Sequence, residues 1–366
     1  MKKIVATTAL AACSTLGLFG AAHAQSTVQV YGLLDAAVDY NTNVDTIGRS
    51  RIWMPSLGGG MFPSRIGFKG SEDLGNGLKA IFTLEGGMYV DTGASGQGNR
   101  LFGRQAWVGL AGNWGQLTLG RNYNMLYNSM PEVEIIGPTQ YGLGSIEPAI
   151  PNGRTDNSVA YKGTFGAVTA GASYSLGRDT SNAGGPGGTN CGGENGADAQ
   201  ACREWSVMLR YDTPTWGLTS AYDRKNGGAG AAAGLTRSDL SDSRLHVAGY
   251  TKFGGWRLAL GGLVRNNEGS AATPRSNLYY FDGAYKLNSA VTVDGLAARL
   301  DYRDSANDTN LYMLRVIYDL SKRTSTYAAI GHVANKGTAA VALSAGGSVG
   351  AGMAQNGFIT GIKHSF

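Results

Sequence analysis

The sequence predicts an all-β fold, a transmembrane antiparallel β-barrel of about sixteen strands. Three observations lead to this prediction: apolar and polar side chains alternate every second residue, short and long connections take turns, and the chain ends on an aromatic residue. In one such stretch Trp256, Leu258 and Leu260 fall on one face of a strand, and Arg257 falls on the other. A soluble sandwich also alternates, but here the apolar faces carry aromatics near their ends, whereas the opposite faces carry Arg, Lys and Asp. That pattern is typical of a strand with lipid on one side and water on the other.

Composition argues against a bundle of membrane helices and against a disordered chain. The mean hydropathy is −0.15, and no internal run reaches the roughly 18 apolar residues that a spanning helix requires. The 366 residues include 57 glycines but only 9 prolines, so the chain is not a proline-rich disordered one. The 18 tyrosines favour strands with amphipathic ends.

The N-terminus reads as a secretory signal peptide over residues 1–24. Lys2 and Lys3 form the positive region, residues 4–20 are mostly apolar, and Ala-His-Ala at 22–24 fits a signal-peptidase site. Residues 25–366 are then one exported domain. A lipoprotein cleavage box ending at Cys13 is the alternative, but cleavage there would leave apolar residues 16–22 exposed.

Export and charge limit the partners that the mature chain can have. Removal of two lysines lowers the formal net charge from +5 to +3, and no basic run is interleaved with aromatics, so no nucleic-acid partner is predicted. Cys191 and Cys202 remain in one Gly- and Asn-rich segment of an exported protein. A disulfide between them is the favoured interpretation, because half of a metal site would lack nearby His partners.

The alternating segments are joined by short and long connections in turn, which is typical of an up-and-down sheet with unequal ends. An even number of strands places both chain termini at the short-turn end, where the first and last strands can pair and remove the free edges. A barrel of this size leaves an aqueous channel. The long connections are 91–103, 122–155, 178–203, 225–242, 266–275 and 335–355. The predicted strands are 27–40, 63–70, 78–89, 104–112, 115–121, 156–163, 166–177, 204–212, 216–224, 243–253, 255–265, 276–287, 289–302, 309–320, 323–334 and 356–366.

In five segments the chain resembles the general diffusion porins of Gram-negative bacteria, especially the beta-proteobacterial type of outer membrane porin. The resemblance implies a homotrimeric channel in the outer membrane, in contact with lipid and lipopolysaccharide, that passes small hydrophilic solutes and inorganic ions and needs no cofactor. It also implies a third long loop that folds into the lumen and narrows the pore. The segments that carry it are VQVYGLLD at 28–35, SRIGFKGSEDLG at 64–75, RQAWVGL at 104–110, LGRNY at 119–123 and GIKHSF at 361–366.

The third long loop is 122–155, and the resemblance implies that its acidic residues face arginines of the barrel wall. Glu132 follows a proline, as in the family, whereas the apolar run after Glu134 (Ile-Ile-Gly-Pro) makes Glu134 and Glu147 uncertain lumen residues. Glu85 follows Phe82 and Leu84 in alternation, so it is expected to face the lumen. The arginines that match the family are Arg65, Arg104, Arg121 and Arg154.

Arg121 is the least regular of these candidates. It shares the alternation of Leu117 and Leu119, which places it on the outer face unless the strand ends at Gly120. Opposed charges across a narrow water-filled gap create a transverse field that passes ions and polar solutes, and an excess of arginine favours anions. The predicted pore constriction consists of Arg65, Glu85, Arg104, Arg121, Glu132, Glu134 and Arg154.

Other functional interpretations are weaker. The histidines lack metal-ligand spacing, so no metal site is predicted. His246, Asp239 and a serine lack a nucleophile-elbow motif, and the glycine-rich run 344–353 lacks the Lys-Ser/Thr of a phosphate loop, so no enzyme is predicted. Two alternatives stay open: a channel that prefers organic acids or phosphate, and a surface adhesin or structural barrel that uses loops 178–203 and 335–355.

Overall fold

The computed structural model describes residues 26–55, 59–177 and 191–366. The predicted signal peptide, residues 1–24, lies outside the described residues. Among the residues described, no helix is both long enough and apolar enough to span a membrane.

The first eight strands are β1 (Thr27–Asn41), β2 (Arg51–Trp53), β3 (Arg65–Gly75), β4 (Leu78–Gly87), β5 (Gln105–Gly112), β6 (Gly115–Tyr123), β7 (Arg154–Phe165) and β8 (Val168–Ser175). The others are β9 (Glu204–Asp212), β10 (Trp216–Asn226), β11 (Ser241–Phe253), β12 (Trp256–Asn267), β13 (Arg275–Lys286), β14 (Val291–Tyr302), β15 (Thr309–Asp319), β16 (Thr324–Asn335) and β17 (Gln355–Ser365). Three short helices are α1 (Gly96–Asn99), α2 (Met125–Ser129) and α3 (Leu143–Ile146).

Sixteen of these strands form a closed antiparallel barrel, which confirms the predicted fold class. Each strand from β3 onward pairs with the next, and β1 closes the sheet by pairing with β3 through Thr27 to Leu33 and with β17 through Leu33 to Asn41. Phe366 and Gly32 exchange backbone hydrogen bonds of 3.1 Å. Gly32 is required there, because a Cβ atom would lie 2.4 Å from the Phe366 ring. Closure leaves no free edge among the described strands of the barrel.

The two faces of the sheet differ as the alternation predicts. On β15, Tyr312, Leu314 and Val316 are exposed on the outer face, whereas Met313 and Arg315 are buried on the inner face. Trp216 and Trp256, which begin their strands, are also exposed on the outer face. Apolar outer side chains and aromatic ends fit a lipid-facing surface.

Two boundaries differ from the sequence prediction. Residues 51–53 form the unpredicted strand β2, which pairs with the end of β1, and Arg51 lies opposite Asn41. It is held there by the Trp53 ring, whose centroid lies 3.9 Å from the guanidinium carbon. Strand β6 continues to Tyr123 through a register shift after Gly120, and β7 begins at Arg154. The third long connection is therefore residues 124–153, here called the inner loop.

The inner loop is packed against the inner wall of the barrel. Leu126, Val133, Ile136 and Leu143 are all fully buried in the same apolar cluster as side chains of β12 to β17. Burial of each such side chain contributes about 1.5–3 kcal/mol. The apolar run after Glu134, unexpected for a loop in water, is thereby explained. The wall residues of this cluster include Leu263, Leu278, Tyr280, Leu296, Leu300, Leu311, Met313, Val333 and Ile359.

The disulfide between Cys191 and Cys202 is confirmed. Both residues are fully buried, with Cα atoms 5.4 Å apart. The Cys202 N–H donates to the Gly227 carbonyl at 2.8 Å, so the bridged segment is also attached to the β10–β11 connection.

Replacement of Cys191 and Cys202 by serine is expected to expose residues 191–203 to proteases. The bridge closes a loop of sequence separation 11, and loops of this length lose about 3 kcal/mol of stabilisation when opened. Limited trypsin digestion of purified barrels measures the effect as faster cleavage beside Arg203. In the unchanged protein, dithiothreitol should accelerate cleavage at the same position. In the variant, dithiothreitol should not accelerate cleavage further. Equal digestion rates with and without the bridge would contradict this role.

Candidate functional site in the barrel lumen

Glu85 is the centre of a polar cluster on the inner wall of β3 to β5. Its carboxylate accepts hydrogen bonds from Arg104 Nε at 2.7 Å and from the Tyr31 hydroxyl at 2.9 Å. Arg65 Nε lies 3.6 Å from the same carboxylate. Strand register places Glu85 beside Gly67 and Gln105, on the face opposite Leu84. Glu85 therefore faces inward, as the sequence predicted.

Residues at the two ends of the inner loop extend this cluster. Arg104 Nη2 donates to the Tyr123 hydroxyl at 2.9 Å, and the Tyr123 ring stacks on Tyr127 at a centroid distance of 3.8 Å. The Arg154 guanidinium lies 5.1 Å from the centre of the Tyr123 ring, within the range of a cation–π contact. We call Arg65, Glu85, Arg104, Tyr123 and Arg154 the arginine cluster. It combines three guanidinium groups with one carboxylate.

Arg121 lies outside the arginine cluster, contrary to the sequence prediction. Because β6 does not end at Gly120, Arg121 pairs with Ala106 on the face that carries exposed Leu119. Its Nη1 is 2.6 Å from Asp156 Oδ1, and its Nε donates to the Gly103 carbonyl at 2.7 Å. The side chain therefore stabilises the strand ends on the outer face.

Glu132 also differs from its expected place opposite Arg65 and Arg104. Its carboxylate lies 3.0 Å from Arg257 Nη2 and 3.4 Å from Lys252 Nζ, on the strands that flank the turn between β11 and β12. Burial of the neighbouring apolar residues of the inner loop orients Glu132 toward these strands. Its side chain is 35% exposed, so this ion pair borders water.

Glu134 is buried between the inner loop and the wall, and not in an open lumen. Its residue is 7% exposed and lies near the buried Asp282 of β13. Burial, together with the Asp282 carboxylate, raises the pKa of Glu134 to about 8. A carboxyl group with this pKa is mostly neutral at pH 7 and adds little charge to an ion pathway.

Glu134 should make the stability of the barrel depend on pH. Its folded-state pKa is above its usual 4.5, so the unfolded chain ionises first and stability falls as pH rises from about 4.5 toward 8. A tenfold difference in proton affinity between the folded and unfolded states is worth about 1.4 kcal/mol. The free energy of unfolding therefore falls by an amount on the order of a few kcal/mol over this pH range. In Glu134→Gln, thermal unfolding in detergent should show a flatter pH profile. Exposed Glu72→Gln is the control, and an unchanged profile in Glu134→Gln would contradict the assignment.

Two further ion-pair networks attach the inner loop to the wall. Arg244 of β11 lies 3.4 Å from Glu147 of the inner loop and 3.2 Å from Asp242. Arg315 of β15 pairs with Asp294 at 2.7 Å and donates to the Ile136 carbonyl at 2.8 Å. Glu147, uncertain in the sequence, is thus a wall contact.

Sequence reasoning missed Arg244 and Arg315 as anchors of the inner loop. Alternation could have placed both of them on the inner face. It could not have shown which loop atoms they bind, since these contacts join residues that are far apart in the chain.

The positions of His246 and Asp239 do not support the interpretation of these two residues and a serine as a catalytic triad. His246 is buried and hydrogen-bonded to Ser129 at 2.9 Å and to Tyr280 at 3.0 Å. Asp239 is instead paired with Arg237 in an exposed connection. Over the described ranges, no group of three or more His, Cys, Asp or Glu side chains is placed to hold a metal ion.

Comparison with known proteins gives one consistent result. Residues 6–338 match the profile of a family described as Gram-negative porin. Outer membrane porin protein 32 of Delftia acidovorans is 29% identical over 98% of this chain and 99% of its own length. An outer membrane porin protein of Bordetella pertussis is 29% identical over 88% of this chain and 92% of its own. The solved anion-selective porin from Comamonas acidovorans superposes with a TM-score of 0.74 at 24% identity, over 93% of this chain and all of that one.

Proposed function

The chain belongs to the Gram-negative porin family, and from this premise we propose that its outer-membrane barrel passes small hydrophilic solutes and ions by passive diffusion, with a mild preference for anions. The arginine cluster is the observation that carries the proposal. It places the Arg65 and Arg104 guanidiniums against the Glu85 carboxylate and the Arg154 guanidinium over the Tyr123 ring, where the inner loop leaves and rejoins the wall.

The preference for anions follows from the charge of that cluster. Fixed positive charge in a narrow, low-dielectric channel raises the local concentration of anions. Arg65 keeps a 25% exposed side chain and so can act on ions in water. Glu134, mostly neutral at pH 7, offsets little of this charge. The superposed Comamonas protein is an anion-selective porin, which supports the same sign here.

Assembly and surroundings are part of the same proposal. The exposed outer side chains, among them Val38, Leu314 and Phe358, provide apolar surface for lipid and for neighbouring copies. We infer a homotrimer in contact with lipid and lipopolysaccharide, made from a precursor with a signal peptide at residues 1–24. The named relatives are porins, and we assign no catalytic activity to the barrel.

Reconstitution in a planar bilayer tests this function. Purified protein should produce stepwise conductance, and its reversal potential in a potassium chloride gradient should have the sign of a chloride preference. Absence of conductance from correctly folded barrels would overturn the channel, and a cation-signed potential would overturn the preference alone. Cross-linking in native membranes tests the trimer.

A further inference from the structure

A small cavity opens on the inner wall beside the arginine cluster and has a composition unlike that cluster. Its volume is about 120 Å³, and it extends over strands β5 to β7 beneath the start of the inner loop. Tyr123 belongs both to this cavity and to the arginine cluster, so the two are adjacent. We call it the amide pocket. The residues that line it include Gln105, Trp107, Gln116, Asn122, Asn128 and Lys162.

The amide pocket carries one positive charge, and none of the described residues that line it is a carboxylate. Lys162 makes one hydrogen bond there, from Nζ to Asn128 Oδ1 at 3.4 Å. An ammonium group has three donors, so two remain for a ligand. Such a group in an acid-free cavity favours an anion.

The side-chain amides of the pocket have unused hydrogen-bonding capacity. The Trp107 indole N–H donates to Gln105 Oε1 at 3.1 Å, which leaves the Gln105 amide nitrogen available. Gln116 pairs with Lys162 across the strands, and its amide has no side-chain hydrogen bond within the part of the chain that the structure describes. A primary amide offers both donors and acceptors, which matches an alcohol hydroxyl group.

The pocket also provides an apolar surface in the Trp107 indole. Aromatic side chains pack against the C–H groups of a carbon skeleton while the hydroxyls bind polar neighbours. An ammonium, free amides and an indole in one small cavity together match one class of solute. We propose that the amide pocket is a binding subsite for short polyhydroxy carboxylates of the sugar-acid type. The inference rests on the proposed channel function, because the solute reaches the pocket through the lumen.

The position of the pocket gives the subsite a role in permeation. The pairing of Gln116 with Lys162 lies near the short turns of β5–β6 and β7–β8, whereas Gln105 lies beside Glu85. An anion drawn to the arginine cluster therefore meets the amide pocket next along the wall. Chloride lacks hydroxyl groups and passes it, whereas a sugar acid is held briefly and slows the current.

Current block in single channels tests the subsite with three probes. Glycerate is the ligand, propionate has the same charge and carbon chain without hydroxyls, and glycerol has hydroxyls without charge. With constant potassium chloride, glycerate should halve the chloride current at a concentration about tenfold lower than propionate, and glycerol should not block. Equal block by glycerate and propionate, in channels that conduct chloride, would overturn the subsite alone. Absence of chloride conductance would overturn the proposed function itself.

Two variants separate the contributions of hydroxyl recognition and charge. Gln116→Leu should raise the half-blocking concentration of glycerate by about threefold to tenfold and leave that of propionate unchanged. Lys162→Met should weaken block by both anions. Lys286→Met is the matched control, since it removes a basic residue from the end of β13, away from the pocket. If Gln116→Leu fails to fold, Lys162→Met still tests the subsite. An unchanged half-blocking concentration of glycerate in either folded variant would overturn the assignment.

Discussion

Replacement of Arg65 by glutamate is expected to move the ion selectivity of the channel from anions toward cations. The Arg65 side chain is 25% exposed, and its Nε lies 3.6 Å from Glu85. The change replaces a guanidinium by a second carboxylate, and so alters the local charge by two. The reversal potential in a potassium chloride gradient should shift toward the potassium equilibrium potential, with single-channel conductance of the same order.

The choice of Arg65 over Arg104 follows from burial. The Arg104 side chain is only 3% exposed and binds Glu85 and Tyr123 directly. Removal of one partner of such a buried pair costs about 3–5 kcal/mol, so a variant there tests folding more than selectivity. Arg49→Glu is the control for Arg65, because Arg49 lies in an exposed connection with a 72% exposed side chain. An unchanged reversal potential in Arg65→Glu would show that Arg65 does not act on ions in the pathway.

The second large effect is expected from Ile136→Ala combined with Leu143→Ala. Both side chains are fully buried between the inner loop and the wall. Each truncation removes apolar contacts and leaves a cavity, at a cost of about 2–5 kcal/mol. The polar contacts of Arg315 and Arg244 with this loop remain, so the barrel should still form while the inner loop becomes mobile.

Single-channel recording measures this loosening. The double variant should show increased current noise, and its mean conductance should exceed that of the unchanged channel, because the loop no longer holds one position in the lumen. Ile47→Ala is the matched control, since Ile47 is 75% exposed in the connection after β1. Unchanged current noise and unchanged mean conductance in the double variant would show that apolar packing does not hold the loop in its position.

Strand positions could be predicted because they depend on local pattern. The segment 204–212 coincides with β9, and every other predicted strand overlaps a strand of the barrel. The short β2 was missed because three residues are too few for an alternation to be recognised. Arg121 was ambiguous for a related reason: its face depends on where β6 ends, and a register shift near Gly120 is not visible in the sequence.

The sequence predicted the closed barrel and the two unlike faces of its wall, and it favoured the disulfide that the structure contains. Each depends on periodicity, on connection length or on two cysteines close in the chain. The sequence also named Arg65, Glu85, Arg104 and Arg154, which the structure brings together in one cluster.

The folded barrel determines which part of the wall each acidic residue of the inner loop faces. It pairs Glu132 with Lys252 and Arg257, buries Glu134 near Asp282, and binds Glu147 to Arg244. The physical reason is that the loop has no regular period of its own. Its course through the lumen is set by apolar packing against strands more than a hundred residues away in the chain, and its charged side chains take the positions that this packing leaves.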